Sequence, residues 1–407
     1  MTTGCSDNSR LHSITFALML GGLLLGSSAA AAAEAAGRDA AASDFPRELV
    51  LRPEVAPYEV ETANRSLNQT NGPFLKEPDL SQQHVFRRML PFGKDTNNAF
   101  ALIWDQPKRR LYLDLNRNLD LTDDASGARS STDRGYSQLF TNVTLPLKTD
   151  MGLHPATLDL RLSADATASW VQVQMTSRTL WQAKVVIEGE TWQVAVADKL
   201  LSTESLAAAK FLLLRPWEVR TNRMYLDYPP YGAVPFPDRL FWLGRAFHLE
   251  RRFETSGETP VWKLELTPQQ PPLTELNLSG ESLCYALLQA TNGYTVLLHE
   301  APGRVKVPQG VYTISTVWLK RGSSEAFRLS RKPWVVAVPG VTNLVLGGPL
   351  TNWVALERYG RRLVIERLLK GADGEPYNLT QRDPERLPEF AVYHGGKKVL
   401  AGKFRYG

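Results

Sequence analysis

The sequence predicts a mainly β protein, with two or three antiparallel β-sandwich or barrel-like domains and one or two short helices. Three observations lead there. Short runs enriched in Val, Leu, Tyr, Trp and Thr recur between Gly, Pro, Asn and Asp, the composition of strands joined by turns. Only two stretches read as helical. Near the C-terminus, Gly395-Gly396 separates Phe390–His394 from Lys397–Leu400, a two-residue hairpin signal because glycine reaches the positive φ such turns need.

The N-terminus reads as an export signal. Met1 to His12 is polar and carries Arg10, Ile14 to Leu25 is apolar, and the small-residue stretch GSSAAAAAEAAG follows. A signal peptide over residues 1–36 is expected, with cleavage after Ala33 or Ala36. The apolar core is short for an uncleaved anchor, which needs about 20 apolar residues, and Cys5 precedes the run where a lipid-anchored cysteine would follow it. The expected location is extracytoplasmic, periplasmic or secreted, with no membrane span once the leader is removed.

Cys284 is then the single cysteine of the exported chain, so stability must come from buried cores without an internal disulfide. Of 47 Lys+Arg and 42 Asp+Glu, a leader cut after Ala33 removes one of each, and the remainder stays mildly basic. The basic clusters Lys108-Arg109-Arg110, Arg251-Arg252, Arg361-Arg362 and Lys397-Lys398 are scattered over strand edges and turns. They fit a solvated surface and not a nucleic-acid groove.

After a lead-in over 37–46, an N-terminal β-rich region is expected over 45–267. Its strand candidates include Phe100–Trp104, Arg110–Leu113, Ala156–Leu162, Trp170–Met175, Ala183–Ile187 and Trp192–Val196. The helical expectations are His84–Leu90 and Glu204–Leu214, the second being Ala-rich with Ser202 or Thr203 as N-cap. PQQPP at 268–272 marks the boundary, since proline fixes φ and donates no ladder hydrogen bond.

The C-terminal β-sandwich region spans 273–407, as one unit or as 273–348 and 349–407. Its strands are expected at Tyr294–His299, Arg304–Val307, Val311–Lys320, Trp334–Val338, Asn343–Leu346, Trp353–Arg358, Arg362–Leu369, Phe390–His394 and Lys397–Lys403. Period-two alternation puts Tyr312, Ile314 and Trp318 on one face. In VKVPQGVYTISTVWLK, residues Val307, Pro308, Gly310, Tyr312 and Ile314 resemble the V-x-P-x-G-x-Y-x-(hydrophobic) strand of transthyretin-like and carboxypeptidase-regulatory-like sandwich modules. That resemblance implies fold alone.

One segment suggests chemistry. LYLDLNRNLDLTDD places oxygen-bearing side chains at Asp114, Asn116, Asn118, Asp120, Thr122, Asp123 and Asp124. A hard cation such as Ca²⁺ takes six to eight oxygens, and alternate positions of a tight loop turn theirs inward. The spacing resembles the first half of an EF-hand or dockerin-type loop, which implies a Ca²⁺ site on Asp114, Asn116, Asn118, Asp120 and Asp124. Leu119 stands where such loops carry Gly, and Ala125 where they carry the bidentate acid; the alternative is that these Asp and Asn side chains simply make a hydrogen-bonded turn between strands.

The histidines His84, His154, His248, His299 and His394 are far apart and read as residues with ordinary hydrogen bonds. No zinc spacing, G-x-S-x-G elbow, phosphate loop or dinucleotide fingerprint occurs. Residues 216–242 concentrate aromatics and prolines, reading as a crossing loop pinned by its own rings or as a stacking surface for sugars or peptides. Together these features resemble exported bacterial β-sandwich proteins carrying a DxNxNxD loop. The expectation is a non-catalytic binding or structural protein stabilised by calcium, its partner a polysaccharide or another envelope protein. The alternatives are a secreted hydrolase acting on polysaccharide or peptide and a subunit of an envelope assembly.

Overall fold

Runs that alternate apolar and polar residues pair into sheets whose inner faces meet, and the described residues are mainly β. The structure, a computed structural model, describes residues 45–404 except 68–73, 166, 168–169, 203, 219–231, 256–258, 301–302, 323, 330–335, 338–341, 361 and 380–388. The leader expected over 1–36 and residues 219–231 of the aromatic, proline-rich segment lie outside the described residues. Within them, helical turns are confined to the three-residue 3₁₀ segments Thr96–Asn98 and Ala125–Gly127.

Two four-stranded antiparallel sheets form the first sandwich. One runs Val85–Pro91, Ala99–Asp105, Arg110–Leu113, Arg129–Ser130; the other runs Glu61–Ser66, Val171–Ser177, Gly152–Ala164, Ser137–Thr149. Phe86, Phe100 and Trp104 from the first meet Phe140, Leu158 and Val173 from the second in one core. The Trp104 indole N–H donates to Gln138 Oε1 at 2.8 Å, so burying the ring leaves no polar atom unmet.

A longer ladder starts at Ala233–Pro235 and passes through Ala207–Pro216, Glu190–Lys199, Thr179–Ile187 and Glu48–Val55 to Val261–Gln269, Arg245–Glu254 and Arg239–Trp242. Arg239–Trp242 then pairs in parallel with Tyr294–His299, and the ladder continues through Leu283–Ala290 and Val311–Arg321. One face encloses a core containing Trp181, Trp192, Trp242 and Trp262. The other carries a third core against the sheet Gly303–Pro308, Leu273–Ser279, Thr342–Val345. Val261–Gln269 extends into PQQPP, with Pro268 opposite Phe247, and Gln270 to Pro272 form the connection. The tryptophan core draws on both sides of that connection, from Trp262 to Tyr285 and Trp318.

Both helical expectations are overturned. Residues 85–90 belong to the strand Val85–Pro91, in which Phe86, Arg88 and Leu90 face inward. Arg88 breaks the apolar alternation that would have disclosed the strand, and it tolerates burial by donating to the Arg87 carbonyl at 2.8 Å. Residues 204–214 contribute the strand Ala207–Pro216, paired on both edges by Glu190–Lys199 and Ala233–Pro235. Leu212 and Leu214 enter one core and Leu213 another. A strand buried on both faces reads as a continuous apolar run, and its non-local ladder outweighs alanine's helix preference.

The shared face expected for Tyr312, Ile314 and Trp318 is also corrected. The register of Val311–Arg321 on Leu283–Ala290 slips between Leu287 and Leu288, so Ser315 is an extra residue on its strand. One inserted residue exchanges the faces. Tyr312 and Ile314 therefore pack in the third core, and Trp318 enters the tryptophan core on the opposite side. The Gly395-Gly396 hairpin forms as expected, with His394 opposite Lys397 and φ of 56° and 79° at the glycines.

Candidate functional site

The Asp/Asn loop leaves the strand Arg110–Leu113 at Asp114, which is buried and whose N–H donates to the Ala101 carbonyl at 2.9 Å. The Asp114 carboxylate accepts from the Asn118 N–H at 3.1 Å and from the Leu119 N–H at 2.9 Å. A local pattern then repeats: Asn116 Oδ1 accepts from the Asn118 N–H at 3.0 Å, Asn118 Oδ1 from the Asp120 N–H at 2.7 Å, and Asp120 Oδ1 from the Thr122 N–H at 3.0 Å. Each side chain caps the backbone two residues on, which accounts for oxygen-bearing residues at every second position.

Arg117 and Leu119 lie between these caps with φ of 64° and 63°. Leu119 thus adopts the left-handed backbone where EF-hand-like loops place Gly, a conformation costing an L residue about 1–2 kcal/mol. The caps on either side offset that cost. At the far end, a Cβ on Gly127 would stand 2.1 Å from the Leu113 carbonyl oxygen, so glycine allows the loop to close on its own strand.

Lys76, not singled out in the sequence, completes the arrangement. Its ammonium lies 2.7 Å from Asp120 Oδ2, and its backbone bridges the loop through Lys76 N–H to Leu119 O at 3.3 Å and Leu121 N–H to Lys76 O at 3.1 Å. Lys76, with help from Thr122, holds the Asp120 carboxyl down at about 2. Asp123 accepts the Asn116 and Asn118 side-chain amides at 3.2 and 2.7 Å. Asp124 accepts the Leu115 N–H at 2.9 Å, and burial shifts its carboxyl upward.

Of the expected ligands, Asp114, Asn116 and Asn118 are therefore tied together, with Asp123 joining them. Asp120 turns to Lys76 and Asp124 to the backbone of Leu115. Among the described residues, no group of three or more His, Cys, Asp or Glu is placed to hold a metal ion.

Other titratable groups withdrawn from water lie elsewhere, among them the buried His154 and Asp198 and the half-buried His299. His154 was expected to make an ordinary hydrogen bond, yet it is fully buried and neither ring nitrogen has a partner. It stacks on Phe253 at 3.9 Å between centroids and on Trp262 at 5.5 Å, and burial pushes it down to about 4. His299, beside Trp192 and Tyr285, is pushed down by burial to about 3. Asp198 accepts from Trp181 Nε1 at 3.1 Å and from the Ala209 N–H at 2.6 Å, and burial pushes its carboxyl up to about 6. By contrast, the Cys284 thiol donates to the Trp318 carbonyl and burial pushes it up to about 12, so it stays protonated as a small hydrophobe would.

A cleft of about 640 Å³ lies beside the connection at 270–272. Its floor is apolar, with Phe45 packed at 4.8 Å on Phe247 and Phe241 from the neighbouring strand. Its polar side chains are Arg47, Arg245, Gln269 and Gln270. Arg245 is fixed over the Phe45 ring at 5.4 Å and paired with Glu188 at 3.2 Å, whereas Arg47 is exposed. Gln269 accepts from the Tyr294 hydroxyl at 2.6 Å. A more open cleft of about 490 Å³ shares Gln269, Gln270 and Pro271 with the first. The composition at Phe45-Pro46-Arg47 and PQQPP did not disclose this site, because its walls come together only through the pairing of Glu48–Val55 with Val261–Gln269.

Compared with known proteins, the chain matches no family model, no curated protein and no solved structure.

Proposed function

We infer that this is an exported, non-catalytic binding protein, and that the cleft beside Gln270 to Pro272 takes a segment of polysaccharide. The cleft's polar lining carries the reading. Two guanidinium groups and two carboxamides over an apolar floor suit the hydroxyl and carboxylate oxygens of a sugar, arginine by its forked donors and glutamine by its paired donor and acceptor. The volume falls in the range of small-ligand pockets, about 300–1,000 Å³. The leader-like N-terminus supports export.

Titration calorimetry of the mature protein with uronic-acid and neutral oligosaccharides tests this. Saturable binding is expected, and Arg47→Ala should weaken the acidic series by about tenfold through loss of a charge-assisted contact. Failure of both series to bind at millimolar concentration, or turnover of either, would remove the reading.

Calcium belongs to the same proposal as a stiffening ion on Asp114, Asn116, Asn118, Asp120 and Asp124. It would have to displace Lys76 from Asp120, since the ammonium already occupies that carboxylate. Removing the competitor in Lys76→Met should therefore let calcium raise the melting temperature by about 2–5 °C more than in the parent. Melting curves unmoved by calcium in both proteins would eliminate the ion.

A further inference from the structure

We propose that the outer edge of the strand Thr351–Tyr359 takes up an extended, acidic segment of a partner protein as an added strand. Among the described residues this strand ends the long ladder, paired on one side only, with Arg362–Lys370. Two residues separate Tyr359 from Arg362, which are opposite each other. The closing pair of such a hairpin is hydrogen-bonded and bonded pairs alternate along the ladder. The N–H groups of Tyr359, Glu357, Ala355 and Trp353 therefore serve the hairpin, and those of Arg358, Leu356, Val354 and Asn352 point outward.

The hairpin carries apolar side chains on both faces without covering them. Trp353 is 44% exposed and Tyr359 63% on one face, and Leu356 is 37% exposed on the other. An isolated two-stranded ribbon is marginal in water, and an unpaired edge flanked by exposed apolar groups is a template for another strand.

Charge selects the occupant. Residues 351–407 contain eleven Lys and Arg against seven Asp and Glu, a net +4 of the chain's +5. In the two strands of the hairpin, Arg358, Arg362, Arg367 and Lys370 outnumber Glu357 and Glu366. A second copy of this edge would set like charges against each other. The chain's own C-terminal hairpin Glu389–Lys403 is basic too, with Lys397, Lys398 and Lys403 against Glu389. Arg367 is held by Asn352 at 2.6 Å and Lys370 over the Trp353 ring at 4.0 Å, so positive charge is fixed beside the edge. An acidic polypeptide satisfies both the charge and the outward row of N–H and C=O groups. An anionic glycan satisfies only the charge.

The test is fluorescence anisotropy of the full mature chain with a labelled decapeptide of alternating Glu and Val, the matching Lys and Val peptide, and polygalacturonate as competitor. The Glu peptide should bind saturably and the Lys peptide should not. Proline is tolerated where an edge N–H faces outward, so Leu356→Pro should weaken the Glu peptide by about tenfold or more while Leu356→Ala retains it. Arg362→Glu with Arg367→Glu should reverse the preference toward the Lys peptide, a readout that survives if the proline variant fails to fold. Equal binding to the parent and a folded Leu356→Pro protein would overturn the proposal. So would no binding of the Glu peptide, or unchanged preference after charge reversal.

Discussion

Asp373→Ala is expected to lower the free energy of unfolding of the protein by about 3–5 kcal/mol, among the largest losses a single change can cause here. Arg328 Nη1 donates to Asp373 Oδ2 at 2.5 Å, and the two side chains are 1% and 0% exposed. Asp373 also accepts from the Tyr377 hydroxyl at 2.9 Å and the Glu375 N–H at 3.0 Å. Arg328 has no such surplus, because its Nε and Nη2 make no hydrogen bond. Removing the carboxylate therefore strands a guanidinium in the core, with no other acidic partner for it among the described residues. Replacing both partners, Arg328→Met with Asp373→Leu, should recover most of the loss, since the pair's own net contribution is small once desolvation is counted. Urea unfolding followed by tryptophan fluorescence measures both. A loss under about 1 kcal/mol for Asp373→Ala would show that the pair is not buried as described.

The second large effect is a loss of stability in acid. His154 and His299 have ordinary values of 6.5 and are pushed down to about 4 and about 3 in the fold. A depressed folded value means that the neutral, folded ring is favoured above pH 6.5 and that this advantage is lost as pH falls toward the folded value. Asp198 works oppositely: its carboxyl rises from 3.8 to about 6, so its contribution is full below 3.8 and is lost as pH rises through 6. Between pH 6 and 4 the unfolded chain therefore binds two protons at the histidines and releases one at Asp198. The net uptake of one proton lowers stability by about 1.4 kcal/mol for each pH unit of acidification.

His154→Phe should cancel that slope. It should also stabilise the protein at neutral pH, because phenylalanine keeps the stack on Phe253 and Trp262 while removing two unpartnered nitrogens. Unfolding curves at pH 7, 6, 5 and 4 compare the two proteins. Parallel pH profiles for parent and His154→Phe would place the acid sensitivity elsewhere.

The candidate sites differ in how much of them the sequence disclosed. The Asp/Asn loop was legible, because successive caps from Asn116, Asn118 and Asp120 are local interactions within two residues. Its partner Lys76 was not, being 44 residues away and identified only by the bridge to Asp120. The cleft was less legible still, since Phe45, Arg245 and Gln270 meet through strand pairing and no local composition marks the junction. His154 looked like any strand residue. Its burial among Phe253, Trp262 and Trp181 follows from where the sheets meet, and that cannot be read from Leu153 or Pro155 on either side.

By itself the sequence determined the strand-rich character of this protein, the hairpin at Gly395-Gly396 and the capped turn at 114–122, since turn chemistry and β-branched or aromatic composition act over a few residues. The tertiary structure alone decided that 85–91 and 207–216 are strands, that Trp318 and Ile314 enter different cores, and that Arg328 and His154 are buried. The physical reason is the same in each case. Which face of a strand is covered depends on register with a distant partner, and a single inserted residue such as Ser315 reverses it.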